Sequence, residues 1–103
     1  MHDICFFDDD EIEEFLSGLP VHVSKAVTGK LRLLAELRWR LAEPHSKPIG
    51  DGVFEISIDK GPGYRLYYCI LGDDVWMLRC GTKRHQQNDI DVAKNRCVQL
   101  KGR

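Results

Sequence analysis

The chain has 103 residues, 43% of them hydrophobic and 30% charged, a length and balance that predict one folded domain over residues 1–103. Its net charge of -1 argues against a general nucleic-acid-binding protein. No apolar run approaches the roughly 18 residues of a membrane span, and the first residues lack the basic-then-apolar order of a secretory signal. We therefore expect a cytoplasmic protein with no membrane partner.

The four cysteines, Cys5, Cys69, Cys80 and Cys97, form no Cys-x-x-Cys pair. They also show no spacing with histidine that is typical of a metal site. Reduced, mostly buried thiols are the expectation for such cysteines in the cytosol. The sequence therefore predicts no metal and no cofactor.

Charge is distributed unevenly along the chain. Residues 1–14 contain seven Asp or Glu and no Lys or Arg, whereas residues 79–103 contain seven Lys or Arg and two Asp. A basic half of this kind attracts phosphates, and an acidic end avoids them. The alternative is that both segments are ordinary solvated surfaces.

The first half of the chain has helical patterns. Residues 2–7 are a candidate short strand. The run Asp8 to Asp10 then offers an N-cap and favourable first-turn charges for a helix that ends near Gly18. A longer helical pattern covers residues 21–43, and two prolines bracket a loop over residues 44–48.

The second half changes to the period of two that is typical of strands. Apolar and polar residues alternate over residues 54–58, 64–70 and 75–80, with turn residues between the segments. Residues 89–98 then read as a short amphipathic helix. Because each strand has one apolar face, we expect the sheet to cover the helices with one side and to leave the other side open.

The alternation also predicts which side chains share that open face. If Ile56 and Leu66 are both buried, Ser57 lies opposite Arg65 on the other side. The face is then predicted to hold Glu55, Ser57, Arg65, Tyr67 and Arg79, with Lys83, Arg84 and His85 just beyond the third strand.

These residue types suit metal-free cleavage of RNA. A carboxylate such as Glu55 can take the proton of a 2′-hydroxyl, and the planar fork of Arg65 can bind the phosphate. His85 can act as acid or base near neutral pH, and Tyr67 can stack on a base. Simpler alternatives are a surface ion pair of Arg65 with Glu55 or Asp59 across the hairpin, and a Tyr67 that only covers the sheet edge.

Three segments resemble the RelE/HigB-type toxins of bacterial toxin–antitoxin pairs, in particular the phage-derived addiction-module killer branch of the RelE/ParE superfamily. They are Gly-Asp-Gly-Val-Phe-Glu-Ile from residue 50, Gly-Pro-Gly-Tyr-Arg-Leu-Tyr-Tyr from residue 61, and the stretch from residue 80 to 94. The resemblance covers residues 12–95. It implies an α+β fold in which two N-terminal helices pack on a small twisted antiparallel sheet, followed by a short C-terminal helix.

The resemblance also implies a function. Such toxins are metal-independent mRNA endoribonucleases that commonly act on translating ribosomes. A small helix-turn-helix antitoxin neutralises them, and operator DNA is bound only through that antitoxin. Arg65 matches the arginine of the family's Tyr-Arg strand, Lys83 or Arg84 matches its basic residue after the last strand, and Glu55 matches the Glu of its Glu-Leu/Met-Arg motif.

Ser57 departs from that motif, because it stands where the family usually has an arginine. Arg79 is the candidate replacement, since its side chain is predicted to share the same face. Two other functions stay open: a catalytically weakened or non-catalytic relative that still binds an antitoxin, and a gyrase inhibitor similar to ParE. The clustered Lys83, Arg84 and His85 favour RNA chemistry over the gyrase inhibitor.

Overall fold

The computed structural model describes residues 4–102. The elements, in chain order, are β1 (Ile4–Phe6), α1 (Asp9–Ser17), α2 (Val21–Leu37), a 3-10 turn (Arg38–Arg40), β2 (Lys47–Gly50), β3 (Val53–Ile58), β4 (Tyr64–Leu71), β5 (Asp74–Thr82), a second 3-10 turn (Lys83–His85) and α3 (Gln86–Lys101). Within residues 4–102, no helix is both long and apolar enough to cross a membrane.

The predicted elements of the first half are largely confirmed. The Asp8 carboxylate caps α1 by accepting the backbone N–H of Glu11 at 3.0 Å. The strand predicted over residues 2–7 is observed as β1, and residues 2 and 3 lie outside the described part of the chain. The prediction that α2 extends to residue 43 is wrong. That helix ends at Leu37, because the next residue, Arg38, takes a left-handed backbone φ of 53°.

The five strands form one sheet in the order β1-β5-β4-β3-β2. Neighbouring strands are antiparallel except β1, which runs parallel to β5. The α+β class is confirmed, and the sheet is mixed rather than purely antiparallel. The loop predicted over residues 44–48 is partly wrong, since Lys47 begins β2, an edge strand paired to β3.

One side of the sheet, here called the first face, packs against α1 and α2 as predicted. The buried side chains at this interface come from both layers: Ile12, Val23, Val27 and Leu34 from the helices, and Ile56, Leu66, Tyr68 and Met77 from the strands. This is the larger of the two cores. Because these strand residues face α1 and α2, the residues between them in each strand point to the other side of the sheet.

The other side, here called the second face, is not open, and this prediction is wrong. The helix α3 is 16 residues long and lies across that face. Ala93, Cys97 and Leu100 from α3 form a second buried cluster with Tyr67 and Cys69 from β4, and with Val53 and Leu78 from the neighbouring strands. The protein therefore has helices on both sides of the sheet.

Candidate nucleic-acid site at the polar end of the second face

The register of the β3–β4 hairpin confirms which side chains share the second face. Ser57 pairs with Arg65 and Glu55 pairs with Tyr67 across the two strands. Tyr67 in turn pairs with Arg79 on β5. Tyr67 belongs to the apolar cluster on this face, and Glu55 lies beside it at the N-terminal end of α3. Glu55, Ser57 and Arg65 are called the polar end below.

The exposure of these residues differs from the prediction. The exposed fractions are 2% for Glu55, 6% for Arg65 and 0% for Tyr67, so none of the three belongs to an open surface. The helix α3 covers Tyr67, and its first residue, Gln86, reaches back to Glu55. Ser57 keeps partial exposure.

Glu55 is surrounded by donors. Its Oε2 accepts a hydrogen bond from the Gln86 side-chain amide at 2.8 Å, and its Oε1 accepts one from the Ser57 hydroxyl at 3.5 Å. The ammonium group of Lys47 lies 3.8 Å from Oε1. These partners hold the carboxylate in one orientation, which suits a proton acceptor.

Arg65 uses only part of its guanidinium in contacts within the protein. Its Nη1 donates to the backbone oxygen of Tyr64 at 2.9 Å and to the Asp59 carboxylate at 3.3 Å. Its buried Nε has no hydrogen-bond partner among residues 4–102. The ion pair with Asp59 that the sequence left open as an alternative is therefore present, but it leaves a donor of Arg65 unused.

Tyr67 cannot serve as a stacking surface, because its ring is fully buried. Its buried hydroxyl has no hydrogen-bond partner among residues 4–102. Burial, and then the nearby negative charges of Glu55 and Asp89, raise the pKa of the Tyr67 phenol. Tyr67 is thus part of the second core. It lies on the central strand β4, so the alternative that it covers the sheet edge is also wrong.

Arg79 is committed to other partners and is not a free cation beside Arg65. Its Nε donates to the Asp89 carboxylate at 2.9 Å and its Nη1 to Glu11 at 2.8 Å. Glu11 also binds Arg96 of α3 at 2.6 Å. The acidic and basic ends of the chain therefore neutralise each other in part, which the charge distribution alone did not indicate.

The basic cluster after β5 is exposed. Lys83, Arg84 and His85 form a single 3-10 turn, and the backbone N–H of Lys83 donates to Gly63 O at 2.9 Å. A Cβ at Gly63 would lie 3.3 Å from Lys83 Cβ and 3.6 Å from Arg65 Nη1, so Lys83 and Arg65 approach the same glycine. His85 instead lines a depression of about 410 Å³ with Arg79. The structure thus brings Lys83 to the polar end and does not bring His85 there.

Two residues that sequence reasoning missed lie beside Glu55. A cleft of about 300 Å³ is lined by Glu55 and Ser57 together with residues 43–47, which include His45 and Lys47. Lys47 is the cross-strand partner of Glu55. No strand-like alternation marks residues 47–50, and Pro44 and Pro48 favoured a loop there.

Among residues 4–102, no group of three or more His, Cys, Asp and Glu side chains is placed to hold a metal ion. The candidate site consists of one carboxylate, one buried guanidinium, a hydroxyl and surrounding cations. Such a set can bind a phosphodiester and can move a proton.

Comparison with known proteins gives a family match. The model of phage-derived Gp49-like proteins (DUF891) matches residues 14–98. An uncharacterized protein of Haemophilus influenzae is 43% identical over 49 residues, which are 47% of this chain and 50% of that protein. The match with this curated relative thus spans about half of its length. No solved structure matches the chain.

Proposed function

The chain belongs to the family of phage-derived Gp49-like proteins, which is toxin-like and associated with toxin–antitoxin systems, and on that premise we propose that it is the toxin of such a pair. We infer further that it is an mRNA endoribonuclease of the RelE/HigB type that needs no metal and acts on translating ribosomes. Its partners are mRNA and a helix-turn-helix antitoxin, and it reaches operator DNA only through that antitoxin. The proposed setting is the cytoplasm.

The observation that carries the proposed chemistry is the incomplete bonding of Arg65. This side chain is almost fully buried, yet its Nε has no hydrogen-bond partner in the described chain. A buried donor without a partner costs about 1–3 kcal/mol, so it calls for an explanation. Because this Nε is buried, a phosphate oxygen reaches it only when binding shifts the residues that cover Arg65. The guanidinium fork then matches the phosphate with two parallel hydrogen bonds.

The remaining roles follow from position. Glu55 takes the proton from the ribose 2′-hydroxyl, whose oxygen attacks phosphorus. The bond from phosphorus to the 5′-oxygen breaks, a 2′,3′-cyclic phosphate forms, and the 5′-oxygen receives a proton from the ammonium group of Lys83, the residue of the basic turn that lies beside Arg65. Arg65 and Lys83 stabilise the additional negative charge on the phosphate, and Ser57 and Arg84 contact the RNA.

Cleavage is expected to persist in excess EDTA, because every role above belongs to a side chain. The products should carry a 2′,3′-cyclic phosphate or its hydrolysis product at one end and a 5′-hydroxyl at the other. The measurement maps the ends of RNA from translating extracts. Ribosomes are first fixed on the mRNA, and EDTA is then added to one of two matched samples. A parallel reaction uses RNA without ribosomes. If EDTA abolishes cleavage of this free RNA and added Mg²⁺ restores it, the mechanism is contradicted.

Ser57→Arg is expected to increase growth arrest by about tenfold or more, because it places a second guanidinium across from Arg65. The partial exposure of Ser57 and the neighbouring cleft leave room for the longer side chain. The control is Ser17→Arg, which adds the same cation at an exposed position of α1. Equal growth arrest for both variants would show that position 57 does not face the phosphate.

A further inference from the structure

The cleft beside β3 gives access to a carboxylate that is otherwise enclosed. The side chain of Glu55 is 1% exposed, and it lines this cleft of about 300 Å³. If Glu55 takes a proton from RNA, the ribose that carries the proton has to enter here. Other residues that line the cleft then contact the same nucleotide.

A contact with Lys30 defines which ring nitrogen of His45 accepts a hydrogen bond. The Lys30 ammonium group lies 3.0 Å from Nδ1 of His45. An ammonium group can only donate, so Nδ1 is the acceptor and the ring proton is on Nε2. His45 therefore presents an N–H donor, and its orientation is fixed by α2.

Lys47 supplies the positive charge of the cleft. Its ammonium group lies 3.8 Å from Glu55 Oε1, and its side chain is 55% exposed, so it can also reach a ligand. Glu43 is the other acid among the lining residues, and it is exposed. Lys47 offsets the charge of Glu55, which would otherwise repel a phosphate.

We propose that this cleft is an RNA-binding subsite in which Lys47 and the Nε2–H of His45 bind the phosphate of the nucleotide whose ribose reaches Glu55. The inference rests on the proposed ribonuclease function and adds two substrate-contacting residues to it. His45, rather than His85, is then the histidine that lies beside Glu55, the proposed proton acceptor.

The test measures binding of a short single-stranded RNA with 2′-O-methyl riboses, which cannot be cleaved. Lys47→Gln should weaken binding at least about fivefold. It should also reduce the slope of the logarithm of the binding constant against the logarithm of salt concentration by about 0.7, which is the contribution of one phosphate contact on a single strand. His45→Ala should also weaken binding, whereas His45→Gln should retain most of it because the amide replaces the Nε2 donor. Glu43→Gln should strengthen binding.

Matched controls come from α2, where Lys25 and His22 are both exposed. Lys25→Gln and His22→Ala should bind like the wild type with an unchanged salt slope. If Lys47→Gln and His45→Ala also behave like the wild type while Arg65→Ala loses affinity, the subsite is overturned and the ribonuclease remains. If the wild type causes growth arrest without cleaving any RNA, the proposed function itself fails, and the subsite fails with it.

Discussion

We expect Arg65→Ala to reduce growth arrest by at least about 100-fold, because it removes the side chain proposed to bind the scissile phosphate. The fold should survive the change. The contacts of Arg65 are the backbone oxygen of its own neighbour Tyr64 and Asp59, whose side chain is 81% exposed. Growth after induced expression, with the amount of soluble protein measured in parallel, gives the result.

Two further variants separate chemistry from folding. Arg65→Lys keeps the charge but loses the two-donor fork, so its growth arrest should lie between those of the wild type and Arg65→Ala. Arg32→Ala removes an exposed cation from α2 and should leave growth arrest unchanged. Undiminished growth arrest by soluble Arg65→Ala, with the far-UV circular dichroism of the wild type, would remove Arg65 from the mechanism.

Glu11→Gln is expected to lower the free energy of unfolding by about 2 kcal/mol. Glu11 bridges Arg79 of β5 and Arg96 of α3, at 2.8 Å and 2.6 Å. Removing one partner of a buried ion pair costs about 3–5 kcal/mol, and partial exposure of this carboxylate reduces that figure. In a domain of this size the loss corresponds to a fall in Tm of about 8–16 °C.

The effect should depend on pH in a defined direction. The hydrogen bond from Arg96 lowers the pKa of the Glu11 carboxyl below its ordinary value of 4.5. A lowered folded-state pKa means that the stabilisation is complete above the ordinary value and is lost as pH falls through the folded-state value. The stabilities of wild type and Glu11→Gln should therefore converge in acid.

The control for Glu11→Gln is Glu13→Gln. Glu13 lies on the same helix and is exposed, so its loss should change the unfolding free energy by less than about 0.5 kcal/mol. Urea unfolding at neutral pH and at stepwise lower pH gives both quantities. Equal stabilities of the two variants at neutral pH would show that the Glu11 bridge contributes nothing.

Local patterns predicted most of the elements and the register of the candidate site. The period of two in residues 54–58 and 64–70 fixed which side chains share a face, and the opposition of Ser57 and Arg65 followed from it. The cap at Asp8 was equally readable, because N-capping depends on a side chain within the same turn.

The covering of the second face was not predicted, although two patterns indicated it. In β4 the residues opposite the main core are Arg65, Tyr67, Cys69 and Leu71, and three of these four are readily buried. Residues 90, 93, 97 and 100 also have helical spacing, which is typical of a helix that packs on a sheet. A strand that can be buried on both sides and a helix with one apolar stripe are complementary.

The ionic contacts had no local signal. Glu11 and Arg79 are 68 positions apart in the chain, and their pairing depends on how α1 crosses β5. The cleft had no local signal either, because His45 comes from the loop before β2 and Glu55 comes from β3. Charge counts along a sequence cannot show which charges neutralise each other in the folded protein.

The central claim is that this chain cleaves mRNA, and mapping of RNA 5′-hydroxyl ends after induced expression tests it most directly. We predict new 5′-hydroxyl ends within coding regions in cells that express the wild type, and none above background in cells that express Arg65→Ala or coexpress the antitoxin. Growth arrest by the wild type without any new 5′-hydroxyl ends would contradict the ribonuclease function.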